Sequence, residues 1–93
     1  MHEGILRRMR ALVRRDEYLM TVHAEREMDA DELTVLDIER AILAGFVADR
    51  QRDPSSGEWK HVIEGPTTGS GWIVVVAKIS VSGKLWILTV FRL

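Results

Sequence analysis

Two apolar segments near the carboxy terminus, Trp72 to Ile79 and Lys84 to Arg92, are separated only by Ser80-Val81-Ser82-Gly83. A short polar connection closed by glycine, between runs rich in β-branched and aromatic residues, predicts an antiparallel hairpin. Pairing residues whose numbers sum to about 163 puts Trp72, Val74, Val76 and Lys78 on one face with Leu85, Ile87, Thr89 and Phe91. Ile73, Val75, Ala77 and Ile79 then share the other with Trp86, Leu88 and Val90. Both faces are largely apolar, so the hairpin belongs at the centre of a sheet, with helices on one side and a groove or a partner chain on the other.

The rest of the chain supplies the neighbours. Phe46 to Arg50 and Trp59 to Glu64 read as two further strands, bounded by Asp53-Pro54-Ser55-Ser56-Gly57 and by the glycine-rich stretch from Gly65 to Gly71. Before Gly45 the period changes. Ile5, Leu6, Met9, Leu12 and Val13 recur at helical spacing among five arginines, predicting a basic amphipathic first helix. Tyr18 to Met20 breaks that pattern, and Thr21 caps a second helix carrying Ala24 and Met28 and ending near Ala30. Thr34 and Asp37 form a capping-box variant at the start of a third, whose apolar stripe Leu36, Ile38, Ala41, Ile42 and Leu43 is stopped by Gly45. Helices first and strands after predict one α+β domain over residues 1–93. Three helices cover one face of an antiparallel sheet of about four strands.

Composition narrows the function classes. A chain of 93 residues, 46% apolar and 29% charged, suits one hydrophobic core. Cysteine is absent, which excludes disulfides and thiolate metal sites. The longest apolar run, Trp72 to Ala77, is far below membrane-spanning length, and the arginine-rich start lacks the apolar stretch of a secretory signal, so a cytoplasmic protein with no membrane partner is expected. The net charge of −1 is unevenly spread. Residues 1–15 carry five arginines against Glu3, whereas residues 16–40 carry nine acids against Arg26 and Arg40. The basic amino-terminal and carboxy-terminal parts could form one positive surface if folding juxtaposes them.

His23, near the start of the second helix, is a candidate general base, because imidazole is the side chain best suited to proton transfer near neutrality. One turn on, Arg26 could share an anion with it and Glu27 could orient it. The same His23–Glu27 spacing suits two metal ligands, but only His61 could complete three, so neither a metal nor a cofactor is expected. Among the carboxy-terminal cations, Lys78 shares a predicted sheet face with Thr89 and Phe91, joined by either His61 or Lys60 depending on a one-residue choice of register. Lysines beside an aromatic ring offer phosphate neutralisation and base stacking, as single-stranded RNA binding requires. Trp59, Trp72 and Trp86 read as core or interface residues. No phosphate loop, nucleotide fingerprint or serine or cysteine nucleophile motif occurs.

The succession Tyr18-x-x-Thr21-x-His23-Ala24-x-x-x-Met28, Asp31-x-Leu33-Thr34, Ile38, Ala41-Ile42, Gly45, Trp59-Lys60, Gly65 and Ile87-Leu88-Thr89-Val90-Phe91 resembles a small bacterial domain family of unassigned function, over nearly the whole chain. That family is similar to RelE-like and MqsR-like ribonuclease toxins, which pair with zinc-finger antitoxins of the YgiT type. The resemblance implies a RelE-like two-layer fold and a toxin of a type II toxin–antitoxin pair. It also implies an endoribonuclease that cuts RNA, free or on the ribosome, by metal-independent attack of the 2′-hydroxyl on the adjacent phosphate. His23 and Lys60 or Lys78 would then be base and cation, with Arg26, Arg50 and Arg92 clamping phosphates and Phe91 stacking on a base. Two positions depart from the pattern: many relatives carry arginine in place of Glu27 and tyrosine in place of Phe91, and phenylalanine donates no proton. The alternative is a non-catalytic interaction module of the same fold, binding a protein partner or forming a homodimer through its apolar sheet face.

Overall fold

Thr34 accepts the backbone N–H of Asp37, whose carboxylate accepts the backbone N–H of Thr34 at 2.9 Å in return. This reciprocal capping box starts the helix that organises the molecule. The computed structural model describes residues 3–93. The chain runs α1 (Glu3–Arg14), β1 (Tyr18–Met20), α2 (Val22–Ala30), α3 (Val35–Ala44), β2 (Phe46–Arg52), β3 (Trp59–Pro66), β4 (Trp72–Ile79) and β5 (Leu85–Arg92). The strands form one sheet in the order β1-β5-β4-β3-β2, antiparallel throughout except that β1 runs parallel to β5.

The α+β layering is as expected, with three helices on one sheet face. Leu6, Met9 and Val13 of α1, Ala24 of α2, and Ile38, Ala41 and Ile42 of α3 join Ile63, Ile73, Val75, Ala77, Leu85, Ile87 and Val90 in a single buried cluster. Each large aliphatic side chain in it contributes roughly 1.5–3 kcal/mol by leaving water. α3 approaches the sheet backbone closely because its seat is made of glycine. A Cβ on Gly65 would stand 2.6 Å from Ala41 Cα, and one on Gly45 would stand 2.9 Å from the Glu64 carbonyl carbon. Arg10 fastens α1 to this same carboxyl end of α3, donating from Nε to Ile42 O and from Nη2 to Gly45 O, both at 2.9 Å. Among the described residues no helix is long and apolar enough to cross a membrane.

Two expectations need correction. The sheet has a fifth strand: Tyr18–Met20, which interrupts the helical pattern, pairs in parallel with Leu85–Ile87. The hairpin register also differs from the expected one and shifts along its length. Val74 pairs with Phe91 and Val76 with Thr89, but Ala77 pairs with Ile87 and Ile79 with Leu85. The irregularity leaves Leu88 as an extra residue in β5, and such a bulge reverses side-chain alternation beyond it. Leu85 and Ile87 therefore join Ile73, Val75, Ala77 and Ile79 under the helices, while Trp86 stands level with Lys78 on the opposite, open face. Alternation counted without the bulge assigned these three residues to the wrong faces.

Candidate functional site

Once β1 ends at Met20, the outer edge of β5 is left to α2, and side chains of that helix satisfy it. Thr21 caps α2 by accepting the Ala24 N–H at 3.0 Å and turns its own hydroxyl proton to the Leu88 carbonyl at 3.1 Å. Glu27 Oε1 accepts the Val90 N–H, and Asp31 Oδ2 the Arg92 N–H, each at 3.1 Å. His23, Glu27 and Asp31, spaced four residues apart, thus form a stripe of α2 beside β5. An unpaired strand edge is costly to leave open, and these carboxylates close it.

The same Glu27 oxygen lies 3.1 Å from His23 Nε2. His23 is 67% exposed by side chain and Glu27 27%, so the carboxylate is fixed from the sheet side while the imidazole meets solvent. Ala24 and Met28 take the core-facing side of α2. Helical geometry turns His23 and the exposed Arg26 away from them, into solvent. The open sheet face carries Leu19, Phe46, Trp72 and Phe91, each between 41% and 50% exposed. Phe46 and Trp72 contact one another with ring centres 6.4 Å apart.

The register of β3 settles which residue accompanies Lys78. His61 pairs with Ala77, so His61 turns under the helices and is buried, while Lys60 falls level with Lys78 on the open face. Lys78 Nζ holds Glu58 Oε2 at 2.6 Å. Lys60 and Lys78 are thus brought together, but apart from His23: β3 stands two strand spacings, ~10 Å, inside the β5 edge. Arg92 is anchored, its Nε donating to Asp31 O at 2.9 Å. Arg50 lies far from this corner, on β2 and on the helix side, where its guanidinium stacks 3.8 Å from the Trp59 ring centre.

The opening segment of α2 does both jobs its composition suggests, starting a helix and presenting an imidazole. Tyr18 serves the fold instead. Its hydroxyl donates to Glu39, and burial first, then that carboxylate, raises its pKa above the ordinary value. Sequence reasoning missed that Glu27 and Asp31 close the β5 edge; the signal was their i, i+4 spacing after His23. It also missed Glu58 as the partner of Lys78, for which no local signal exists across 20 residues. Among the described residues no group of three or more His, Asp or Glu is placed to hold a metal ion. In comparisons with known proteins, a domain of unknown function (DUF4258) matches residues 20–92, from the end of β1 to the last residue of β5. No curated protein and no solved structure matches the chain.

Proposed function

The chain belongs to the DUF4258 family, and we propose that it cleaves RNA at the His23 corner, as a toxin restrained by a cognate antitoxin. One observation carries the reading: an exposed imidazole whose Nε2 is 3.1 Å from a carboxylate that is itself fixed by the Val90 N–H. A histidine oriented by a buttressed carboxylate is the arrangement a general base requires. In this scheme His23 takes the proton of a ribose 2′-hydroxyl. The oxygen attacks the adjacent phosphorus, the bond to the 5′-oxygen breaks, and Arg26, one turn along α2, offsets charge on the phosphorane. Phe91 supplies a stacking surface. Lys60 and Lys78, set back by two strands and one strand, meet a neighbouring phosphate rather than the scissile one.

Phe91 has no proton to give, so the departing 5′-oxygen takes its proton from water. A positioned acid typically contributes a factor of about 10²–10⁴, and the chain works without it. The chemistry fixes the products as a 2′,3′-cyclic phosphate and a 5′-hydroxyl. Incubating purified protein with RNA, alone and with ribosomes, and analysing the new ends tests this directly. A 2′-deoxy substitution at the cleaved position should abolish the cut, and 3′-phosphate ends formed without a cyclic intermediate would rule the scheme out.

A second reading is favoured by a separate observation, the group of half-exposed Phe46, Trp72 and Phe91 at one end of the open face. A contiguous apolar surface of this kind marks a protein contact. In that reading the domain is a non-catalytic module and the open face is covered by a partner or a second copy. Soluble His23→Ala that retains partner binding but no RNA cleavage supports the first reading. Absence of cleavage in the wild type supports the second.

A further inference from the structure

Part of the positive charge faces away from the open sheet face. Between the first turns of α1 and the ends of β2, β3 and β4 lies an open cavity of about 560 Å³. Ile5 and Arg8 line it from α1, Arg50 from β2, Trp59 and His61 from β3, and Ile79 from β4. The Arg50 guanidinium carbon stands 3.8 Å from the Trp59 ring centre, a contact that steadies the guanidinium and leaves N–H groups to face another partner. Among the described residues the ion pairs are His23–Glu27 and Lys78–Glu58, so neither Arg8 nor Arg50 is neutralised by a carboxylate. Glu58 also borders the cavity, but Lys78 holds its carboxylate at 2.6 Å.

Two unneutralised arginines, an aromatic ring and aliphatic walls around a volume within the ~300–1,000 Å³ typical of small-ligand sites describe a receptor for an anion with an apolar body. We propose that this cavity is a nucleotide-binding site, with the phosphate gripped between Arg8 and Arg50 and the nucleoside packed against Ile5, Ile79 and Trp59. The site is independent of the His23 corner: it lies on the helix side of the sheet, and β2 is three strand spacings, ~14 Å, from β5. Arg8 lies outside the segment the family match covers, so the site is completed by α1 of this chain.

Calorimetric titration of the whole chain with adenosine 5′-monophosphate, adenosine and inorganic phosphate tests the proposal. The nucleotide should bind saturably and at least tenfold more tightly than either fragment. Arg8→Gln and Arg50→Gln should each weaken it at least tenfold with unchanged melting temperature, since both side chains are exposed. His23→Ala should bind as the wild type does, which separates this site from the one proposed for cleavage. The Trp59 indole N–H resonance should move on addition of nucleotide, a readout that needs no variant. Competition by a 5′-phosphorylated RNA trinucleotide would assign the site to strand ends, and its failure to compete would assign it to free nucleotides. No saturable binding at millimolar nucleotide, binding no tighter than that of inorganic phosphate, or unchanged affinity in either arginine variant would overturn the proposal.

Discussion

At Asp37 one carboxylate joins two parts of the molecule. It completes the capping box of α3 and, through Oδ1, accepts the Thr68 N–H at 2.8 Å and the Thr68 hydroxyl at 2.7 Å, tying the β3–β4 loop to the helix start. The Thr34 backbone N–H first and the Thr68 backbone N–H second lower its pKa from 3.8 to about 2, against the opposing effect of burial. The unfolded chain therefore binds this proton at higher pH than the folded one. The stabilisation is complete above pH 3.8 and disappears as pH falls toward 2. Asp37→Ala should cost about 2 kcal/mol in urea denaturation at pH 7 and flatten the pH dependence below 4. A second prediction concerns glycine: Gly65→Ala, which forces a methyl group into Ala41, should prevent folding or cost more than about 3 kcal/mol. Gly4→Ala, with nothing within 4 Å, should gain about 0.5 kcal/mol. The capping box was legible because Thr34-x-x-Asp37 is a local pattern. The tie to Thr68 and the reason for Gly65 were not, because both depend on residues more than 20 positions away.

At the scale of elements, α2 is held less by its own apolar face, where Ala24 is its one fully buried residue, than by the edge of β5. Its carboxyl end has no glycine to announce it; Glu32 adopts the left-handed conformation instead, with φ of 55°. Under the proposed function Glu27 has a structural and a chemical task that substitution can separate. Glu27→Gln keeps an acceptor for Val90 and should preserve the fold while lowering RNA cleavage. Glu27→Ala should in addition cost about 1–2 kcal/mol and speed hydrogen exchange at Val90. Equal loss of stability in both variants would refute the separation. The helices and four of the strands could be read from periodicity and turn residues. β1 could not, since three residues are too few for a period, nor could the bulge at Leu88, since both registers bury comparable apolar surface.

At the scale of the whole molecule, the sheet divides the chain's chemistry. On the helix side are the core and the Arg8–Arg50 cavity. The open side carries the aromatic residues and the Lys60–Lys78 row, and the His23–Glu27 pair stands at the β5 edge. The basic ends of the chain meet only in part: Arg8 and Arg50 line one cavity on the helix side, whereas Lys60 and Lys78 alternate to the open face. A partner covering the open face would bury Phe91 and restrict access to His23, so binding and inhibition should coincide. Trp72→Ser should weaken such a complex at least tenfold while leaving cleavage by the free protein within about twofold.

The proposed cleavage depends on His23, and tightly controlled induction in a bacterial host, with growth followed and new RNA ends mapped, is the decisive test. Growth arrest and discrete new 5′-hydroxyl ends are expected with the wild type, and neither with soluble His23→Ala expressed at the same level. Normal growth and unchanged RNA in cells containing abundant soluble wild-type protein, or cleavage that persists in His23→Ala, would contradict it.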